Sequence, residues 1–317
     1  MDNKPGGVKP LPKLIVVLGP TAAGKTALGL ALAKEFNGEV VSADSRQIYR
    51  ELSIGTAKPV GEWRQSLGRE AYYVAGVPHY LMDFLAPKAV FSVAEYQARA
   101  FAAIDDILAR GKVPLVVGGT GLYISVIVNN LALPAVPPNA KLRGQFERKP
   151  VSELQALLRR ADPDTYAVID RQNPRRLVRA LEVAAISQQS FLSQQRRGAP
   201  RYWILQIGLQ WGRTELDERI TRRVDEQLAR GLPAEGGRLQ NQYGPSAPAL
   251  SSIGYRPISE YLAGERTRLE ARRAIITETR RYAKRQITWF KRDRRIRWVA
   301  GADALRARQL SAEFLAA

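Results

Sequence analysis

Apolar positions along the chain alternate between short runs and helical spacing. Residues 14–18, LIVVL, are a five-residue apolar run rich in β-branched side chains, the pattern of a strand covered on both faces. An Ala/Leu-rich stretch at 27–34 predicts a helix, 39–42 a second short strand, 93–110 a longer helix and 113–117 a further strand. From 131 the pattern changes. Prolines at 134, 137 and 138 precede a polar helical region reaching about 169, and Asn173-Pro174 is a helix start with Asn as cap and Pro in the first turn. After a polar run at 187–201, WILQIGL predicts a strand returning to the sheet. Ile220, Val224 and Leu228 recur at i, i+4, i+8 within a helix at 214–230, and Ile276, Ala283, Ile287 and Phe290 share one side of a later one. Strands alternating with helices predict an α/β fold, a mainly parallel sheet flanked by helices. The expected layout is a flexible N-terminus at 1–12, a core formed by 13–133 and 201–300, a mainly helical insertion at 134–200, and a C-terminal tail at 301–317.

Composition narrows the chemistry. The 317 residues contain no cysteine and one histidine, His79, which excludes disulfides, thiolate metal sites, cysteine nucleophiles and two-histidine metal sites. We read His79 as structural. A reducing, cytoplasmic setting fits, and no apolar run nears the length of a membrane span. With 49 Lys and Arg against 30 Asp and Glu, the formal net charge of +19 predicts a polyanionic partner. Much of that charge lies at 266–297, where 13 basic and three acidic residues give a net +10. Read as a helix, this stretch turns one side to the core and leaves Arg273, Arg281, Lys284, Arg285 and Lys291 around the rest. Such a surface binds a sugar-phosphate backbone with steep salt dependence.

Between the first strand and helix lies GPTAAGKT, residues 19–26, which matches G-x-x-x-x-G-K-[ST] in the strand, loop, helix context that the motif requires. Gly19 and Gly24 permit the tight backbone, successive amides from Pro20 through Ala22 and Ala23 face phosphate oxygens, Lys25 neutralises charge, and the Thr26 hydroxyl can ligate Mg²⁺. The core is therefore P-loop NTPase-like and its ligand a polyphosphate. Because α/β sheets bind ligands at the carboxyl ends of their strands, Asp44 and Ser45, just after the second strand, are expected beside the loop. Asp44 is the first catalytic candidate; a helix cap or a satisfied surface acid are its ordinary alternatives. The strand at 113–117 ends in GGTGLY, with no carboxylate until Glu147, unlike the acid that holds Mg²⁺ in hydrolytic P-loop proteins. Arg175, Arg176 and Arg179 could grip phosphates or simply form a solvated basic face.

The motifs GPTAAGKT, SADSRQIYRELSIGTAKP, VPHYLMDF, LVVGGTGLY, NPRRLVRALEV, IGYRPISEYLAGE and TRRYAKRQITWFKR follow one another from about 14 to 292. This series resembles the tRNA dimethylallyltransferase family, also called tRNA isopentenyltransferases. The resemblance implies transfer of a dimethylallyl group from dimethylallyl diphosphate to N6 of adenosine 37, next to the tRNA anticodon, with Mg²⁺ and release of diphosphate. It implies that the loop holds a diphosphate rather than ATP, that Asp44 is the general base, and that Arg223 contacts the diphosphate. Thr21 and Thr120 fall on positions near the donor and the target nucleotide. RNA contacts are implied at Asp44, Ser45, Arg46 and Gln47, at Arg143, at Arg175, Arg176, Leu177, Val178 and Arg179, at Gly254, Tyr255 and Arg256, and at Arg281, Lys284, Arg285 and Gln286. The insertion would clamp the anticodon stem-loop, and a monomer is expected. Three positions depart from the family pattern: Arg46 where many relatives carry Met, Tyr80 after His79 where a second His is common, and GLPAEG in place of GL-x-x-EV.

Three other readings remain. An isopentenyltransferase for free AMP, ADP or ATP would share the loop and the base but would not need the insertion or the basic helix. A P-loop small-molecule kinase would need a Mg²⁺ carboxylate that GGTGLY lacks. A non-catalytic RNA-binding protein would leave the loop and Asp44 idle.

Overall fold

The computed structural model describes residues 10–66, 69–194, 196–301 and 303–317. The flexible segment expected at 1–12 falls mostly outside them. The first half of the core runs β1 (Lys13–Leu18), α1 (Lys25–Glu35), β2 (Gly38–Ala43), β3 (Glu62–Ser66), β4 (Arg69–Val74), β5 (Val77–Tyr80), α2 (Val93–Ala109), β6 (Val113–Gly118) and α3 (Gly121–Val128). A helical unit follows with α4 (Ala140–Glu147), α5 (Val151–Ala161), α6 (Pro163–Val168), α7 (Pro174–Ser187) and α8 (Phe191–Gln194). The chain then returns through β7 (Trp203–Gln210), α9 (Arg213–Ala229), α10 (Leu232–Tyr243), α11 (Tyr255–Leu262), α12 (Arg268–Phe290), β8 (Ile296–Ala300) and α13 (Ala304–Ala316). Two compact units result, one built from residues 1–128 and 201–317, the other from 129–200.

The larger unit holds an eight-stranded sheet in the order β3-β4-β5-β2-β6-β1-β7-β8. From β5 to β8 every pairing is parallel, while β3 and β4 add an antiparallel edge. Parallel strands need cover on both faces, which is why β1 and β2 carry unbroken buried runs. One apolar cluster joins α1 and α13 to the sheet through Ile15, Val17, Leu28, Leu32 and Ala307; another gathers Ile48, Leu52, Ile220, Val224, Tyr255 and Ile275 around α9 to α12. Gly118 pairs with both Leu18 and Ala43, so β1, β2 and β6 end level and their following loops converge. A Cβ at Gly118 would lie 2.2 Å from the Ala43 carbonyl oxygen, so only glycine allows this approach.

Two features differ from the sequence pattern. β3, β4 and β5 occupy a stretch in which no strand is legible, and the residues expected as a tail form α13. That helix buries Ala307 and Ser311, pairs Arg308 with Glu35 of α1, and sets Phe314 against Trp203.

The helical unit packs Leu154 and Leu158 of α5 against Leu177, Val178 and Leu181 of α7. Its compact unit starts at Asn129, a few residues before the expected boundary at 134. Among the described residues no helix is long and apolar enough to cross a membrane.

Candidate active site

The phosphate loop leaves β1 through backbone conformations that most side chains avoid: φ is 144° at Gly19, 62° at Ala22 and 94° at Gly24. Gly24 caps α1 without a side-chain hydrogen bond, and the first turn of α1 carries no acid, so its free amides present positive charge to an incoming anion. Lys25 folds back to donate to the Pro20 carbonyl at 2.6 Å. Burial, then the neighbouring Arg223, lower its ammonium pKa to about 7 against an opposing pull from Asp44.

Helix α9 holds the loop from a second side. Arg223 Nη1 donates to the Thr21 hydroxyl at 2.9 Å, Arg219 Nε to the Ala22 carbonyl at 2.8 Å, and Trp211 Nε1 to the Ala23 carbonyl at 3.0 Å. The Arg219 guanidinium stacks on the Trp211 ring at 4.1 Å. Burial, with Arg219 nearby, also holds the Arg223 pKa below its ordinary value. Cations packed together at such cost mark a place for an anion.

Helix α12 holds the loop from a third side. The Thr21 amide donates to Gln286 Oε1 at 2.8 Å, and Gln286 Nε2 donates to the Gly119 carbonyl at 2.8 Å. Gln286 is buried and committed at both ends of its amide, which corrects its expected place among RNA-contacting side chains. Its task is to join the loops after β1 and β6.

Asp44 follows β2. Its Oδ1 accepts from the amides of Arg46 at 2.8 Å and Gln47 at 3.3 Å, a turn that fixes the carboxylate without using Oδ2. The Ser45 amide donates to Thr120 Oγ1 at 3.0 Å, tying this turn to the end of β6. Thr21, Asp44, Ser45, Arg46, Arg223, Tyr282 and Arg285 all line one cavity of about 300 Å³. Donor-loop and base candidates thus meet in one space.

The remaining sequence candidates sort by environment. Arg281, Lys284 and Arg285 are exposed on α12. Arg46 reaches Ser251 Oγ at 3.1 Å, and Gln47, buried, donates to the Thr56 and Ala57 carbonyls. Gly254, at φ 101°, precedes α11. Arg256 is exposed but paired with Glu260 and Glu278. Tyr255 is wholly buried with its hydroxyl on Glu235, so it is a core residue rather than an RNA-facing one. In the helical unit Arg175 and Arg176 are exposed, whereas Leu177 and Val178 belong to its core, a second correction. Arg143 and Arg179 both bind the buried Glu182 carboxylate, whose pKa they and the Asn139 amide hold below the usual range despite burial. His79 is buried in β5 with Nδ1 against the Val77 carbonyl, and burial lowers its pKa. Arg219, Trp211, Gln227, Glu235 and Tyr282 were not foreseen; only the spacing of Arg219 one turn before Arg223 hinted at any of them.

A Mg²⁺ ion fits this donor set in one way. Among the described residues no group of three or more His, Cys, Asp or Glu could cage a metal, and the Thr26 hydroxyl has no hydrogen-bond partner. A Thr hydroxyl and the Asp44 carboxylate beside a phosphate loop suit an ion that keeps waters and takes its other oxygens from bound phosphate.

The IPP transferase family model matches residues 47–293. A tRNA dimethylallyltransferase from Salinispora arenicola (strain CNS-205) is 44% identical over 303 residues, covering 93% of this chain and 86% of the relative. One from Thermomicrobium roseum is 41% identical over 290 residues, covering 90% and 85%. Among solved structures, the full-length tRNA isopentenylpyrophosphate transferase from Bacillus halodurans aligns at a TM-score of 0.69 and 34% identity, covering 96% of this chain and 97% of that one. A eukaryotic dimethylallyltransferase acting on tRNA aligns at a TM-score of 0.79 and 26% identity, covering 96% and 80%. With a family match across most of its length, joined by relatives above 40% identity over nine tenths of it, the chain belongs to the IPP transferase family.

Proposed function

We propose that the protein transfers a dimethylallyl group from dimethylallyl diphosphate to N6 of adenosine 37, next to the anticodon of tRNA, as a monomer in the cytoplasm. The observation that carries this reading is the single cavity in which Asp44 faces the Thr21 and Arg223 side of a phosphate loop. In the reaction the C1–O bond of the donor breaks, diphosphate leaves with the electron pair, and a C1–N6 bond forms. Negative charge grows on the departing diphosphate, where the loop amides, Lys25 and Arg223 stand ready to stabilise it. Bound Mg²⁺, held by Thr26 and the diphosphate itself, would supply further neutralisation of that charge. The N6 proton passes to Asp44, whose Oδ1 is held by two amides while Oδ2 stays available. Positive charge on the allylic carbon is tolerable beside the same carboxylate.

The RNA is held by the exposed Arg281, Lys284 and Arg285 on α12 and, in the helical unit, by Arg175 and Arg176. An anticodon loop yields its base more cheaply than a duplex, and the base must leave the stack to reach a walled site. Incubating the protein with tRNA, Mg²⁺ and dimethylallyl diphosphate, then digesting the RNA to nucleosides for mass spectrometry, tests the reading. N6-dimethylallyladenosine is expected. Its absence, with the donor unconsumed, would overturn the assignment.

A further inference from the structure

Two helices give the cavity a direction. On α9, Arg223 at the phosphate loop is followed one turn later by Gln227, whose Nε2 donates to the Ile54 and Gly55 carbonyls at 2.7 and 3.0 Å. On α12, Gln286, Tyr282, Thr279 and Ile275 share a face that starts at the phosphate loop and runs away from it. At about 1.5 Å of rise per residue, Ile275 lies about 10 Å beyond Tyr282 along that axis. The polar end of the cavity is Thr21, Asp44 and Arg223; the far end is Ile275 with Ile253 and the segment 55–57.

That segment is prepared from behind. The Glu235 carboxylate accepts from the amides of Ser53, Ile54 and Gly55 at 2.8 to 3.1 Å. Gln227 takes up the carbonyls of Ile54 and Gly55, and Gln47 those of Thr56 and Ala57 at 3.2 Å. The Thr56 hydroxyl donates to the Leu52 carbonyl at 2.5 Å. The polar backbone atoms are thus largely spent on buried side chains, and the wall offers the cavity mainly carbon. It cannot recede either: a Cβ at Gly55 would lie 2.5 Å from the Tyr255 ring, and Tyr255 is wholly buried. A chain that needed water or hydrogen bonds would find few partners here. A hydrocarbon would.

We propose that Ile253, Ile275 and the 55–57 wall form a chain-length gauge that admits a five-carbon prenyl group and refuses a ten-carbon one. The inference rests on the donor reading of this cavity and adds to it the limit on donor size. A volume of about 300 Å³ is at the small end of the roughly 300–1,000 Å³ range of small-molecule pockets. Misfit in such a pocket costs roughly ten- to two-hundredfold per methylene, so a rigid wall separates C5 from C10 decisively.

The test compares dimethylallyl and geranyl diphosphates as donors to an anticodon-loop hairpin, for the unmodified protein and for Ile253→Ala and Ile275→Ala. Both variants should raise the geranyl-to-dimethylallyl ratio of kcat/KM at least tenfold. Variants that still transfer the C5 group but leave that ratio unchanged would overturn the gauge. If the unmodified protein transfers no C5 group at all, it is the donor reading that fails instead. Ile275 is a core residue, so Ile253→Trp provides an independent arm at a half-buried position. It should cut C5 transfer at least tenfold while inorganic pyrophosphate binds within a few-fold of normal. Equal loss of both would also overturn the gauge.

Discussion

Arg223 and Thr21, 202 residues apart, are joined by a 2.9 Å hydrogen bond from guanidinium to hydroxyl, which ties α9 to the phosphate loop. The bond occupies one guanidinium nitrogen and leaves the others for an anion, so the same side chain both shapes the loop and serves it. Gln286 grips the amide of the same threonine. Thr21 is therefore held at both its backbone and its side chain before any donor arrives, and that preorganisation reduces what binding must order.

Lys25 makes donor binding sensitive to pH. In the free protein its ammonium titrates at about 7, because burial and Arg223 oppose the charge. A bound diphosphate favours the charged form and raises that value. The sign follows: binding is strongest below pH 7 and weakens as pH rises from 7 toward the pKa of the complex, with uptake of up to one proton. Calorimetry of pyrophosphate binding in buffers of different ionisation enthalpy at pH 8 should register this uptake, and Lys25→Arg should abolish it. Absence of uptake in the unmodified protein would mean that Lys25 does not face the anion.

Asp44→Asn keeps an oxygen for the Arg46 and Gln47 amides, so the turn should survive while the base is lost. Transfer should slow by roughly 10²-fold or more, with donor and RNA affinities within a few-fold. Single-turnover kinetics check this, and near-normal turnover would remove Asp44 from the proton transfer.

The parts of this architecture legible in the sequence are those whose signal is local. β1, the phosphate loop and α1 are contiguous, the strands of the parallel core are apolar runs, and Asn173-Pro174 announces α7. β3, EWRQS, is a polar edge strand, and its partner β4 shows the core only Ala71, Tyr72 and Val74, so neither forms an apolar run. α13 buries Ala307 and Ser311, residues too small to draw a visible stripe. At the site, Asp44 could be read from its place after a strand. Gln286 and Tyr255 could not, because a glutamine on a basic helix and a tyrosine in a polar motif look RNA-facing until their partners, Thr21 and Glu235, are brought in from far along the chain.

Arg281, Lys284 and Arg285 are exposed and none forms an ion pair among the described residues, which leaves their charge for phosphates. Replacing all three with Ala should weaken tRNA binding and lower the slope of log K against log salt by up to about three contacts' worth, roughly 0.7 to 0.9 each. Binding isotherms at several salt concentrations decide it. An unchanged slope would place this face in solvent alone.

Arg143 and Arg179 should behave differently, because they already share the buried Glu182 carboxylate. Arg143→Ala strips that carboxylate of two hydrogen bonds, at about 1.5–3 kcal/mol for a charged group. The expected result is a lower denaturation midpoint in urea with little change in the salt slope of RNA binding. A full unit lost from the slope at unchanged stability would instead make Arg143 a phosphate contact.

Binding energy separates the tRNA enzyme from one acting on free nucleotides. Arg281, Lys284 and Arg285 lie outside the space needed to hold one adenine, Arg285 alone reaching the cavity wall. If they grip an anticodon stem-loop, their contacts can be used to extrude and align the target base, so a substrate without them loses turnover as well as affinity. A hairpin with adenosine 3′ to its anticodon should therefore be prenylated, AMP, ADP and ATP should not, and shortening the stem should lower kcat. The basic helix makes a second demand on the same experiment: the Arg281, Lys284 and Arg285 triple variant should narrow the gap between hairpin and AMP by slowing only the hairpin. Prenylated AMP formed as fast as prenylated hairpin at saturating donor would leave the basic surface without a role in catalysis and make the free nucleotide the substrate.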